Sequence, residues 1–112
     1  MSKVAFKIAL HHNQTQESEG KLISHPDFPG VDFIIHLPAH LKNSKYKGYK
    51  ITHFASGMSV TNGHDTQKAA IAQFLDLAPS ASKRKGISVE EAVKLMRGQL
   101  DAAPIINRRG VA

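Results

Sequence analysis

The sequence predicts an α+β domain, an antiparallel sheet of three to five strands with two C-terminal helices, the first packed on one face of the sheet. Three observations carry that prediction. Val4, Phe6, Ile8 and Leu10 alternate with Lys3, Ala5, Lys7 and Ala9, and Val31, Phe33, Ile35 and Leu37 alternate in the same way, the period of two that belongs to half-buried strands. Two further β-rich segments flank Gly57, as in a hairpin. Beyond residue 65 the period changes, with Ile71, Phe74, Leu75 and Ala78 recurring at i, i+3, i+4 and i+7, an apolar helical stripe.

Taken in order, strands are expected over about 3–10, 31–37, 46–54 and 58–62, and helices over about 65–78 and 88–102. The polar run from His11 to Gly20 has no apolar anchor and reads as an exposed loop. Leu22 and Ile23 offer a short extra strand before Pro26 to Gly30 turns the chain, and Pro38 ends the strand that follows. In the hairpin, a four-residue loop of Phe54 to Gly57 puts Ile51, His53, Met58 and Val60 on one face; a three-residue loop of Ala55 to Gly57 makes Phe54 face Met58. Gly57 is the turn residue in either register. A strand running straight from Lys45 to His53 would put Lys45 and Lys47 on the side of Tyr49 and Ile51. A bulge at Gly48 resolves the conflict, turning Tyr46, Tyr49 and Ile51 inward and Lys45, Lys47 and Lys50 to water.

Asn62-Gly63 closes the hairpin, and Asp65 or Thr66 supplies the cap of the first helix. Pro79 to Gly86 reads as a linker by composition. Ser88 and Glu91 then form an S-x-x-E capping box ahead of a stripe of Val89, Ala92, Val93, Met96 and Leu100, and Pro104 stops that helix. Residues 1–104 therefore read as a single domain and 105–112 as a basic tail that frays from Asn107 onward.

A chain of 112 residues is long enough to remove roughly two-thirds of its unfolded surface from water without metal or disulfide support. Cysteine is absent, which excludes disulfides, thiolate nucleophiles and cysteine-based zinc sites. Val4 to Leu10 is interrupted by Lys7, and no stretch approaches the ~18 apolar residues of a membrane span. The expectation is a cytoplasmic protein with no membrane partner.

The seven histidines invite a metal reading that their spacing does not support. His36 and His40 are four apart with Pro38 between them, His11 and His12 point to opposite sides of an extended chain, and no ligand string accompanies either pair. His64-Asp65-Thr66 matches one half of a two-histidine phosphoesterase signature and finds no second half. Ser56 and Ser59 form no nucleophile elbow, and Glu90 and Glu91 sit where they complement a helix dipole. The sequence therefore predicts no enzyme, no cofactor and no metal.

Charge is the more informative signal. Fifteen Lys and Arg face nine Asp and Glu, a formal excess of +6. Residues 1–41 carry three lysines against four acids, so the excess lies beyond them, in Lys42, Lys45, Lys47 and Lys50 and then in Lys83, Arg84 and Lys85. Lysines spaced along a strand neutralise successive phosphates, and a tyrosine, Tyr46 or Tyr49, stacks on a base. The expected function is a small basic binding module that engages nucleic acid or a ribonucleoprotein through Lys42, Lys45, Tyr46, Lys47, Tyr49, Lys50, Lys83, Arg84 and Lys85. The rival expectation is a protein-binding inhibitor or adaptor of the phage- or plasmid-encoded kind that acts against host defence. Such a protein would contact a host protein, or pair with itself as a homodimer, through a strand edge.

Overall fold

The computed structural model describes residues 3–9, 14–37 and 48–108. Five antiparallel strands follow one another across a single sheet in chain order: β1 (Val4–Ala9), β2 (Thr15–Ile23), β3 (Phe33–His36), β4 (Lys50–His53) and β5 (Met58–Ser59). Three helices come after them, α1 (Gln67–Leu75), α2 (Leu77–Lys85) and α3 (Val89–Ala102). The α+β class is as the alternation implied. Inside it, one strand is far longer than expected and one helix replaces a linker.

Both sides of the central strands β3 and β4 are buried. Alternation sends Phe33, Ile35 and Ile51 toward the helices, where they pack with Phe28, Ala70 and Phe74, and with the half-buried Tyr49, Val60, Leu77, Val93, Met96 and Leu100. The other face carries Phe6, Ile34 and Phe54, with Val4, Ile8 and Leu22 packed around them. Strands of four residues bury two faces at once because the sheet curls until its ends meet. The Ala9 amide donates to Gly57 O in the β4–β5 turn at 3.0 Å. Asn107 fills the rest of the seam. Its Oδ1 accepts from Lys7 N at 2.8 Å, and its Nδ2 donates to Lys7 O at 2.8 Å and to Phe54 O at 2.7 Å. That uses both amide hydrogens and the oxygen, and it pairs the open edge of β1 much as a neighbouring strand residue would. The amides of Ile106 and Asn107 also donate to Ala55 O, at 2.7 and 3.0 Å. The tail expected to fray is therefore anchored at its start.

Two glycines permit the curl. Gly57 sits at φ 71°, and a Cβ there would come within 2.6 Å of Ile106 Cδ1 and 2.7 Å of Lys7 O. At Gly20 a Cβ would fall onto Ile35 O and within 2.9 Å of His36 Cβ. The loop expected over His11 to Gly20 is corrected here, since β2 runs from Thr15 and pairs with β1 from Val4↔Gly20 to Ala9↔Thr15. Its alternation is real but written in polar letters: Thr15, Glu17, Glu19 and Lys21 are exposed, while Gln16, Ser18, Gly20 and Leu22 turn to the other side. An apolar search cannot see such a strand.

The hairpin takes the four-residue register, with Thr52↔Ser59 and His53↔Met58 paired and Val60 N donating to Ile51 O at 2.9 Å. Gly48 has φ 62°, outside any strand conformation, and the ladder with β3 begins two residues later at Lys50. Thr66 caps α1 by accepting from Ala69 N, and Ser88 caps α3 by accepting from Glu91 N, both at 3.1 Å.

The expected stripe of α1 is half right. Phe74 and Ala78 are buried, but Ile71 and Leu75 are 36% and 48% exposed, and Ala70 and Ala81 take the inner positions. The helix breaks at Asp76 and the phase changes there. His25 helps select the buried face, its Nε2 donating to Phe74 O at 2.9 Å while its Nδ1 accepts from Asp27 N at 3.0 Å. Its ring meets those of Phe74 and Phe28 edge to face.

The expected linker is also corrected, because Leu77–Lys85 is a helix. Pro79 lies in its first turn, where no amide partner is lost. Ala78 and Ala81 let it approach its neighbours closely, and Gly86, at φ 66°, ends it by donating to Ser82 O.

Asn107→Ala removes the partner of three main-chain groups at once. We expect it to lower folding stability by about 2–3 kcal/mol, the cost of leaving buried main-chain groups unpaired. Denaturant unfolding measures this, and a midpoint equal to wild type would refute the role given to the seam.

Candidate nucleic-acid interface

The cations of the second basic cluster are set by α2. Lys83, Arg84 and Lys85 form its last turn, where positive charge offsets the helix dipole by about 0.3–1 kcal/mol for each residue. All three are exposed. The ion pair of Arg97 with Asp101, and the approach of Asp27 to the His25 ring, leave them untouched. Their charge is free to act outward.

Two of them face an open groove of about 760 Å³. It lies on the helix side of the sheet, between the end of the hairpin and the α1–α2 junction, and is lined by Val60 and Asn62 on one wall and by Gln73, Asp76, Leu77, Ser80, Lys83 and Arg84 on the other. The hairpin wall is held to α1 by one side chain. Gln73 Oε1 accepts from Asn62 N at 3.0 Å and from His64 Nε2 at 2.6 Å. The pairing of Tyr49 with His64 through both main-chain bonds, at 2.7 and 2.9 Å, fixes His64 in turn. Across the junction, Asp76 Oδ2 accepts from Ser80 Oγ at 2.6 Å. The groove thus combines a short apolar floor, Val60 and Leu77, with two cations, one carboxylate and two amides.

The remaining predicted site residues are distributed differently. Lys50 is the register partner of His36, so its side chain lies on the face away from the helices. Tyr49, one residue earlier, turns to the helix side and is half-buried against the core of Phe33 and Ile51. The structure therefore brings Lys83 and Arg84 together in one groove, with Lys85 beside them, and puts Lys50 on the opposite side of the sheet. Lys42, Lys45, Tyr46 and Lys47 lie outside the described residues.

No family model, curated protein or solved structure matches this chain. Its function is read from the groove and from the charges alone.

Sequence reasoning missed Asn62, Gln73, Asp76 and Ser80 as groove residues. Asn62 read as a turn, Gln73 and Asp76 fell within the expected helix 65–78 but off its apolar stripe, and Ser80 fell within the expected linker. Only the observation that Pro79 is tolerated in a first helical turn would have revealed α2 and brought Asp76 and Ser80 to the junction.

The described histidines serve the fold. Among the described residues no group of three or more His, Asp or Glu converges as a metal site, and no helix is long and apolar enough to cross a membrane. Ser56 is buried, with its hydroxyl 2.7 Å from His53 Nδ1 and accepting from Met58 N at 3.2 Å. That pair braces the hairpin turn. His36 donates from Nδ1 to Leu37 O at 3.3 Å and accepts at Nε2 from Thr52 Oγ at 2.6 Å, with Phe6 edge-on to its ring. Burial pushes His36 below the ordinary value of 6.5, the Leu37 carbonyl opposes the shift, and Lys50 adds to it. Burial likewise lowers His53, against the pull of Asp101 and Asp32.

Both groups hold protons less tightly in the folded chain than in the unfolded one, so stability rises with pH across the interval between the two values. The contribution is complete above about pH 6.5 and is lost as pH falls through the lowered folded-state values. Urea midpoints should therefore decrease steadily from about pH 7.5 to about pH 5.5. A flat profile over that range would contradict the assignment.

Proposed function

We propose that the protein is a small, non-enzymatic binding module that engages nucleic acid or a ribonucleoprotein, with the cationic last turn of α2 as its main phosphate contact. The observation that carries this reading is the groove beside Val60 and Leu77, which has Lys83 and Arg84 on its wall and Lys85 next to them, none of them in an ion pair among the described residues. Cations held on a helix end beside an apolar floor suit a strand whose phosphates and bases both need partners. Lys42, Lys45, Lys47 and Lys50 add to the positive charge of the chain. Tyr46 is the stacking residue in this reading, because Tyr49 is packed against the core.

A second reading rests on α1. Ile71 and Leu75 are neighbours one turn apart and exposed, which suits a protein-binding adaptor or inhibitor whose partner buries that apolar pair. The two readings differ in salt response. Binding to nucleic acid should weaken with a log–log slope of about −3 to −5 if roughly four to six phosphates are contacted. Lys83→Ala and Arg84→Ala should each reduce that slope by about 1, and triple replacement of Lys45, Lys47 and Lys50 by alanine should weaken binding further. Gel-shift titrations with single- and double-stranded probes at two salt concentrations measure all of this. Binding indifferent to salt and to these replacements would end the first reading. Tight association with a protein partner in about 1 M salt, where charges are screened within ~3 Å, and its loss in Ile71→Ser/Leu75→Ser, would establish the second.

A further inference from the structure

A groove built only to hold phosphate would not carry a carboxylate on its wall. Asp76 does, and its side chain is not spent on the helix end where it stands. It occupies the N-cap position of α2 without accepting from any backbone amide of that helix. Oδ2 takes the Ser80 hydroxyl at 2.6 Å, and among the described residues Oδ1 has no hydrogen-bond partner. Gln73 lies one turn earlier and lines the same groove. Its amide orientation is fixed because only an oxygen can accept the Asn62 N–H. Both bonds go to that oxygen, so the Nε2 hydrogens are not used by them and remain available as donors.

We propose that the groove selects an unpaired guanine within the bound strand, and this rests on the nucleic-acid reading above. The Watson–Crick edge of guanine presents an acceptor, O6, followed by two adjacent donors, N1–H and N2–H₂. Adenine, cytosine, thymine and uracil present no acceptor followed by two donors. A glutamine donor one turn from a carboxylate acceptor complements that order, with Gln73 Nε2 donating to O6 and Asp76 accepting from N1 and N2. Val60 and Leu77 give the base an apolar surface to lie on, while Lys83 and Arg84 take the flanking phosphates. A base in a duplex already uses this edge, so the groove reads a single strand, which is where sequence is read on the Watson–Crick edge.

The test is fluorescence anisotropy on the full chain, at one fixed salt concentration, with short oligothymidylates carrying one central guanine, hypoxanthine, adenine or cytosine. The guanine probe should bind about 10-fold more tightly than the adenine and cytosine probes, the scale of one good bidentate base contact. Hypoxanthine, which lacks the N2 amine, should fall between. Asp76→Asn should erase the guanine advantage and tighten binding of the adenine probe, because it removes a carboxylate that repels the strand. Gln73→Glu keeps the oxygen that Asn62 N uses and removes the donor, and it too should erase the preference. Guanine and adenine probes that bind alike, but that both weaken in Lys83→Ala/Arg84→Ala, would overturn the guanine assignment and leave nucleic-acid binding standing. A guanine preference that survives Asp76→Asn would overturn the assignment as well. Probes whose binding ignores Lys83→Ala/Arg84→Ala altogether would remove both.

Discussion

The structure depends on the meeting of the first strand with the last turn of the sheet. Strands as short as Phe33–His36 and Lys50–His53 cannot shield two apolar faces while flat. One face would lie under the helices and the other in water. Curling brings β1 over the second face, so that Phe6, Ile34 and Phe54 bury one another, and the curl persists because its edges are joined by hydrogen bonds. The seam is made of few groups, namely Gly57 O with Ala9 N, and the Asn107 amide with Lys7 and Phe54. It also disposes of an edge strand that would otherwise offer free amides and carbonyls to other chains. A residue near the C-terminus therefore completes what the first strand begins, which makes the fold close on itself late in the chain.

The same economy explains the groove. The helices lean on Phe33, Ile35 and Ile51 through Ala70 and Phe74, and buried alanines at the inner positions, Ala70, Ala78 and Ala81, bring them close. The break at Asp76 lets α2 change direction at the end of the hairpin, and the Gln73 amide clasps that hairpin through Asn62 and His64. His25 holds the Phe74 carbonyl on the core side of the break. What positions Lys83 and Arg84 beside Val60 is thus a buried histidine and a glutamine, neither of which touches the cations.

How much of this was legible in the chain follows from how each element is coded. Strands that bury large side chains on alternate positions, such as Phe6 and Ile8 or Phe33 and Ile35, announced themselves. So did the turn at Gly57, whose left-handed backbone needs a glycine, and the helices capped by Thr66 and Ser88. The stretch from Thr15 to Gly20 stayed hidden because its inward residues, Gln16, Ser18 and Gly20, are not apolar, and at Gly20 the neighbouring strand leaves no room for a side chain. Helix α2 stayed hidden because proline, serine and lysine suggest a linker, whereas in a helix they stand at the first turn, the outer face and the last turn. Asn107 gave no signal, since a buried amide that joins residues a hundred positions apart in sequence has no local pattern. The site was legible as charge and illegible as shape: Lys83, Arg84 and Lys85 were visible, as were the hairpin and first helix, but the groove forms only because the concealed helix α2 sets those cations beside them.

The charges on those walls bear on selectivity as well as affinity. Lys83 and Arg84 attract any polyanion, and their contribution is the same for every sequence. Asp76 repels that same polyanion, at a cost of about 1 kcal/mol for a charge pair ~4 Å apart in a water-filled groove. A carboxylate that receives two donors from a base returns about 1–3 kcal/mol. For a strand without the right edge Asp76 is a net loss, and for one that has it the balance turns favourable. On the guanine reading, the +6 net charge of the chain would supply more attraction for phosphate than binding needs, and a single acid among the cations would convert part of that surplus into discrimination.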